Sequence, residues 1–162
     1  MNKRVLALAT ALPLCGLACA AREPLPVEKR SGIKVVYQIK TDEWKEGVGS
    51  GLHYVEKLMK AYEKMDIGTG QIEVHAVLHG NAGYWLLTDA AFRKETGKDA
   101  DNPNRAVVER LLKQGVQIEL CANTMESRGW NDADVMEGVA IVAGAYPRII
   151  DLQLQGFAYI RF

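Results

Sequence analysis

Gly115-Val116-Gln117-Ile118-Glu119-Leu120-Cys121-Ala122-Asn123-Thr124 is an apolar run that ends on a cysteine and turns polar at once. A short apolar run bounded by a glycine fits a buried strand better than a helix. The polar residues that follow open one or two helical turns from Thr124 to Arg128, which Gly129 ends. The sulfur of Cys121 therefore belongs at a strand-to-helix turn, the place where α/β proteins keep their chemistry.

Four more strands are expected around this one. Ile33-Lys34-Val35-Val36-Tyr37-Gln38-Ile39 is short and rich in β-branched residues. In Gln71 to Gly80, Ile72, Val74, Ala76 and Leu78 alternate with Glu73, His75, Val77 and His79, so the two sets face opposite ways. Gly138 to Ala143 and Phe157 to Phe162 complete the set. Between the strands, Leu52, Val55, Leu58, Met59 and Tyr62 recur at helical spacing. Val107, Val108, Leu111 and Leu112 supply a second buried stripe, with Asn102 as its cap and Pro103 in its first turn. A short helix through Tyr84 to Leu87 precedes a polar excursion from Lys94 to Asn104, and a last helix runs from Tyr146 to Gln155. Strands and helices alternating at this spacing imply βαβ crossovers and a mostly parallel sheet covered on both faces.

The chain opens with Met1-Asn2-Lys3-Arg4, then an apolar segment to Leu17, then Ala18-Cys19-Ala20. That order reads as a signal peptide over residues 1–20, directing a soluble form to the periplasm; Leu17-Ala18-Cys19 leaves a lipoprotein at Cys19 as the alternative. Residues 21–32, with Pro24 and Pro26 among charges, read as a solvated leader, and one domain occupies residues 33–162. No later stretch is apolar for long enough to span a bilayer. Acids and bases balance at 20 each, and no basic stripe announces nucleic acid. Of the 3 cysteines, Cys15 and Cys19 fall in or beside the cleavable segment, which leaves Cys121 as an odd thiol in an exported chain.

Two readings of Cys121 stay open. A thiol reacts as thiolate, which a helix N-terminus or a cation favours, and the Ala122-Asn123-Thr124 turn would aim backbone N–H groups at the sulfur. If the second and third strands are neighbours, His79 lies beside Cys121 and becomes a candidate proton partner. Alternatively Cys121 is a small packed hydrophobe, as free cysteines often are. His75, His79 and Cys121 are chemically suited to zinc or copper, but nothing in the sequence makes them converge, so neither metal nor other cofactor is expected. Gly47-Val48-Gly49-Ser50-Gly51 fails the spacing of a nucleotide loop and reads as a flexible entry to a helix. Asp99, Asp101, Asn102 and Asn104 read as a solvated loop. Trp44, Trp85 and Trp130 fit loop bases or subunit interfaces. Serine hydrolase and paired-carboxylate motifs are not recognisable.

The His79-Gly80 turn, the strand closing on Cys121, the Ser127-Arg128-Gly129 segment and the ending Leu152-Gln153-Leu154-Gln155-Gly156-Phe157-Ala158-Tyr159-Ile160 together resemble the DsrE/DsrF-like family of small α/β proteins. The resemblance implies a flavodoxin-like three-layer sandwich and a tendency to oligomerise. It further implies, as in the family's sulfur-relay members, a persulfide carried on the cysteine, here Cys121. Sulfur donor and acceptor proteins would then be its partners, with Ala122, Asn123 and Thr124 stabilising the anion and His79 assisting. A non-catalytic homo-oligomeric binding or scaffold module is the alternative.

Overall fold

The computed structural model describes residues 22–162; the signal-peptide reading and the Cys19 alternative lie outside the described residues. Residues 22–32 are exposed and belong to no helix or strand. The elements then follow in order: β1 (Ile33–Ile39), β2 (Trp44–Lys45), β3 (Val48–Gly49), α1 (Ser50–Glu63), β4 (Ile72–Leu78), α2 (Asp89–Thr96), α3 (Arg105–Lys113), β5 (Gln117–Cys121), α4 (Ala122–Arg128), β6 (Ala140–Val142), α5 (Ala145–Leu154) and β7 (Ala158–Arg161).

The main sheet has five strands in the order β6-β5-β4-β1-β7. Every pairing in it is parallel. β2 and β3 form a separate antiparallel ribbon. Because side chains alternate along a strand, each face of the sheet collects its own core. Val35, Tyr37, Ile39, Val74, Ala76, Leu78, Ile118 and Leu120 pack on one face beneath α1 and α3, in company with Leu52, Val55, Val108 and Leu111. Val36, Val77 and Cys121 lie on the other face beneath α5, which brings Ala145, Ile149 and Leu152, with Phe157 after it. Right-handed crossovers explain the split. From β1 through β4 to β5 the chain steps repeatedly in one direction, which keeps α1 and α3 on one face; from β6 it jumps back across the sheet to β7, which puts α5 on the other. The result is the flavodoxin-like three-layer α/β sandwich with its five-stranded parallel sheet.

Four local expectations need correction. After β4 the chain runs through a 3-10 turn at Gly80–Leu86 and then forms α2, a helix where the sequence suggested the start of a polar excursion. Thr88 caps it by accepting from the Ala91 N–H at 3.4 Å, and Gly97 ends it in the left-handed conformation. Asn102 and Asn104, expected in a solvated loop, are buried because they replace water for orphaned backbone groups. The Asn102 amide donates to the carbonyls of Trp85 at 3.0 Å and Leu87 at 2.7 Å, and Asn104 Oδ1 accepts from the Gly49 N–H at 2.6 Å. The α3 cap falls on Asn104, two residues after the expected Asn102. Lastly, Gly49 and Gly51 at the start of α1 are not a flexible entry but places of close approach, whereas Gly47 stands clear with a positive φ. A Cβ on Gly49 would lie 2.4 Å from the Trp85 ring, and one on Gly51 would lie 2.5 Å from Ile39.

Gly49→Ala therefore forces the fully buried Trp85 to move and costs about 1–3 kcal/mol by overpacking. Gly70→Ala, which meets nothing within 4 Å, stays within about 0.5 kcal/mol of the parent. Urea unfolding midpoints of the two variants check the contrast; equal midpoints would mean that the ribbon gives way to the added methyl.

Candidate functional site

Cys121 ends β5, pairs with Val142 of β6 and is the residue immediately before α4. At this point the chain leaves adjacent strands in opposite directions. α4 packs Met125 into the first core, whereas Gly144 and α5 turn towards the second. Neighbouring strands whose connections part to opposite faces leave a crevice beyond their carboxyl ends, and open α/β sheets place ligands there. The crevice is a cleft of about 230 Å³, lined by His79, Gly80, Cys121, Asn123, Thr124, Ser127, Gly144, Ala145, Tyr146 and Pro147. The sequence-nominated residues His79, Cys121, Asn123 and Thr124 are thus on one wall system; Ala122 is half-buried in the first turn of α4 and does not line the cleft. Sequence reasoning did not reach Gly144, Ala145, Tyr146 and Pro147, which come from the start of the last helix; the only available signal was the position of Pro147 in a first turn.

Cys121 is 5 % exposed. It belongs to the second core, with Val77, Ala145 and Ile149, while it also lines the cleft wall. Among the described residues it is the free cysteine, and no group of three or more metal-binding side chains converges there. The expected neighbourhood of His79 follows from the pairing of β4 with β5, which puts Leu78 opposite Leu120 one residue earlier. His79 continues the β4 ladder by donating its N–H to the Ile39 carbonyl at 3.0 Å. Its imidazole is buried, lies at 2.9 Å from the Gln38 amide through Nε2, and packs edge-on against the Tyr146 ring at 5.2 Å. Burial, then the positive charges of Lys40 and Arg161, push its pKa below the ordinary histidine value, so the ring is neutral at pH 7. Thr124 serves the turn: its hydroxyl accepts from the Gly80 N–H at 3.0 Å, tying the exit of β4 to α4. Asn123 is exposed beside the Gly144 turn.

The sequence profile of the DsrE/DsrF-like family matches residues 53–162. The chain belongs to the DsrE/DsrF-like family. Among solved structures, it is similar to the protein of unknown function MTH1491 from Methanobacterium thermoautotrophicum, with a TM-score of 0.58 and 23% identity, covering 80% of this chain and 99% of that one. It is similar also to the ychN protein from E. coli, with a TM-score of 0.55 and 17% identity, covering 80% of this chain and 100% of that one. Both likenesses concern the fold. Among curated proteins no match is found.

One feature of this DsrE/DsrF-like protein escaped the sequence reading: a buried ionic cluster behind the cleft. Glu119, 2 % exposed on the same sheet face as Cys121, accepts from His75 Nδ1 at 2.6 Å and from Arg148 Nε and Nη2 at 2.8 and 2.9 Å. His75, weighed above as a metal ligand, is thereby committed to carboxylates. Arg148 follows Pro147 directly, so the cluster pins the first turn of α5, which forms one wall of the cleft. Burial by itself would push the Glu119 carboxyl up; the hydrogen bonds from His75 and Arg148 outweigh it and hold the carboxyl below its ordinary range. Among the described residues no helix is long and apolar enough to cross a membrane.

A carboxyl whose folded pKa lies below the unfolded value stabilises the fold above that unfolded value, about 4.3, and the contribution is lost as pH falls through the folded pKa. Glu119→Ala, which leaves the buried His75 imidazole without its partner and the part-exposed Arg148 with only Asp151, costs about 1–3 kcal/mol at pH 7. Glu119→Gln removes the titration, so its stability falls less steeply in acid than the parent's. Urea unfolding from pH 7 down to pH 3 measures both; parallel pH profiles for parent and Glu119→Gln would show that the cluster does not govern acid stability.

Proposed function

We propose that this protein is a sulfur carrier of the cell envelope that holds sulfane sulfur as a persulfide on Cys121. The single observation that carries the reading is the position of a free thiol on the wall of the switch-point cleft, between the first turns of α4 and α5. The transfer needs no oxidant. The Cys121 thiolate attacks the outer sulfur of a donor persulfide, the donor's S–S bond breaks, and the donor departs as a thiolate. Cys121 then carries the extra sulfur as a persulfide anion. An acceptor thiolate attacks that outer sulfur in turn and releases the Cys121 thiolate, with the thiol proton exchanged with solvent at the start and end of the cycle.

Burial shapes who can take part. Cys121 is set back from the surface, and a persulfide moves the reactive atom outward by one S–S bond, into a cleft of about 230 Å³. A space of that size admits the tip of a cysteine-bearing segment or a small persulfide, not the face of a folded domain. Backbone N–H groups of the first turn of α4, which have no intrahelical acceptor, lie beside that atom and favour its negative charge. Donor and acceptor are accordingly proteins or small molecules that present sulfur on a protruding tip, and the apolar exposed residues Tyr146, Ile150 and Leu154 along α5 support assembly with further copies of the chain. The basic and apolar order of residues 1–17 supports a periplasmic site of action.

A specific observation favours a second reading. Cys121 is buried and belongs to the second core with Val77, Ala145 and Ile149, as expected of a scaffold or binding module whose cysteine merely fills space. Intact mass spectrometry after treatment with a sulfane-sulfur donor separates the two: the relay reading expects a gain of one sulfur, about 32 Da, reversible by dithiothreitol and absent from Cys121→Ser. No gain on the folded parent protein, together with slow alkylation by a small reagent that enters the unfolded chain readily, would establish the packed cysteine instead.

A further inference from the structure

The imidazole of His79 belongs to a chain of three side chains on the second face of the sheet. Gln38 on β1 is buried, 6 % exposed, and follows Val36 on the second face of that strand. Its carboxamide is held at both ends. The Tyr159 hydroxyl, arriving from β7 on the other side of β1, donates to Gln38 Oε1, and Gln38 Nε2 faces His79 Nε2 at 2.9 Å. A carboxamide has one accepting end and one donating end. With Oε1 occupied by the hydroxyl, the NH₂ group is the end that meets the imidazole, and an NH₂ group can only donate. In the amide orientation that the structure adopts, His79 Nε2 accepts and carries no proton, so the single proton of the neutral ring sits on Nδ1. Nδ1 makes no hydrogen bond among the described residues, and the ring lies on the wall that it shares with Cys121.

The geometry points to Gln38 and Tyr159 as positioning residues that lock His79 in its neutral Nδ1–H tautomer, so that it serves the Cys121 cleft as a hydrogen-bond donor and not as a base. The role at the sulfur rests on the sulfur-carrier reading; the tautomer does not. A donor of this kind stabilises a thiolate or persulfide anion without taking the proton, and Tyr146, packed edge-on against the ring, limits the rotation that would exchange the two nitrogens. A base would need Nε2 or Nδ1 bare towards the cleft, and the amide of Gln38 already occupies the bare nitrogen.

The test reads the ring nitrogens directly. In ¹⁵N-histidine-labelled full-chain protein at pH 8, His79 is expected to show a pyrrole-type Nδ1 and a pyridine-type Nε2, and Gln38→Glu, which puts an acceptor opposite Nε2, is expected to exchange the two. A pyridine-type Nδ1 in the parent overturns the proposal, whatever the fate of the variants. For the role, sulfur transfer from a persulfide donor to a small acceptor thiol is measured in His79→Asn, which keeps an N–H donor near the Nδ1 position but cannot act as a base, and in His79→Ala. Loss of a hydrogen bond to a charged atom predicts a fall of about ten- to a hundredfold for His79→Ala, with His79→Asn retaining most of the rate. Equal loss in both variants overturns the donor role. If Cys121 takes up no sulfur at all, the sulfur-carrier reading and the role at the sulfur both fall, while the nitrogen shifts still decide the lock.

Discussion

A single helix, α5, covers the second face of the sheet, and that scarcity of cover governs everything near Cys121. On the first face α1 and α3 supply enough apolar surface for the strands to be apolar on that side throughout. On the second face one helix of ten residues must serve five strands. The strand positions that it cannot bury among hydrocarbons are filled by Gln38, His75, His79 and Glu119, all buried and all hydrogen-bonded. Buried polar groups are tolerable when bonded, and here each bonds to another element: β1 to β4 through Gln38 and His79, β4 to β5 through His75 and Glu119, β5 to α5 through Glu119 and Arg148. The second face is therefore held by directional bonds where the first is held by packing. Directional bonds fix positions to a fraction of an ångström, which is what a cleft built from the ends of three strands and the starts of two helices requires.

Much of this fold could be read from period and punctuation. The strands β1, β4 and β5 stand out because their apolar residues alternate or run together between glycines, and the α1 and α3 stripes at Leu52, Val55 and Met59 and at Val107, Val108 and Leu111 are helical in spacing. The adjacency of His79 and Cys121 followed from neighbouring parallel strands in register. What stayed hidden was whatever depends on a partner distant in sequence. Asp89 to Thr96 has only Ala91 and Phe92 to bury, too few for a visible stripe, and becomes a helix because Thr88 caps it and Phe92 stacks on Tyr84. Asn102 and Asn104 look like loop residues until Trp85, Leu87 and Gly49 present them with unpaired backbone groups. Gly49 and Gly51 look flexible because composition cannot tell a glycine that permits motion from one that permits contact. The cleft itself needed Gly144 to Pro147 from a helix that returns across the sheet, and no local pattern connects those residues to Cys121.

The electrostatics of the cleft divide between long and short range. Lys40 and Arg161 carry charges near His79 and form no salt bridge among the described residues, so their field reaches the cleft uncompensated by a bound carboxylate. A field of this sign draws anions over about a Debye length, some 8–10 Å at physiological ionic strength. The same field acts on His79 in the opposite sense, since it opposes a third positive charge there and keeps the imidazole neutral. Burial is the larger cause of that neutrality, and the field adds to it. The two exposed cations thus act on the cleft at long range, while the Gln38–Tyr159 pair fixes the ring of His79 at short range.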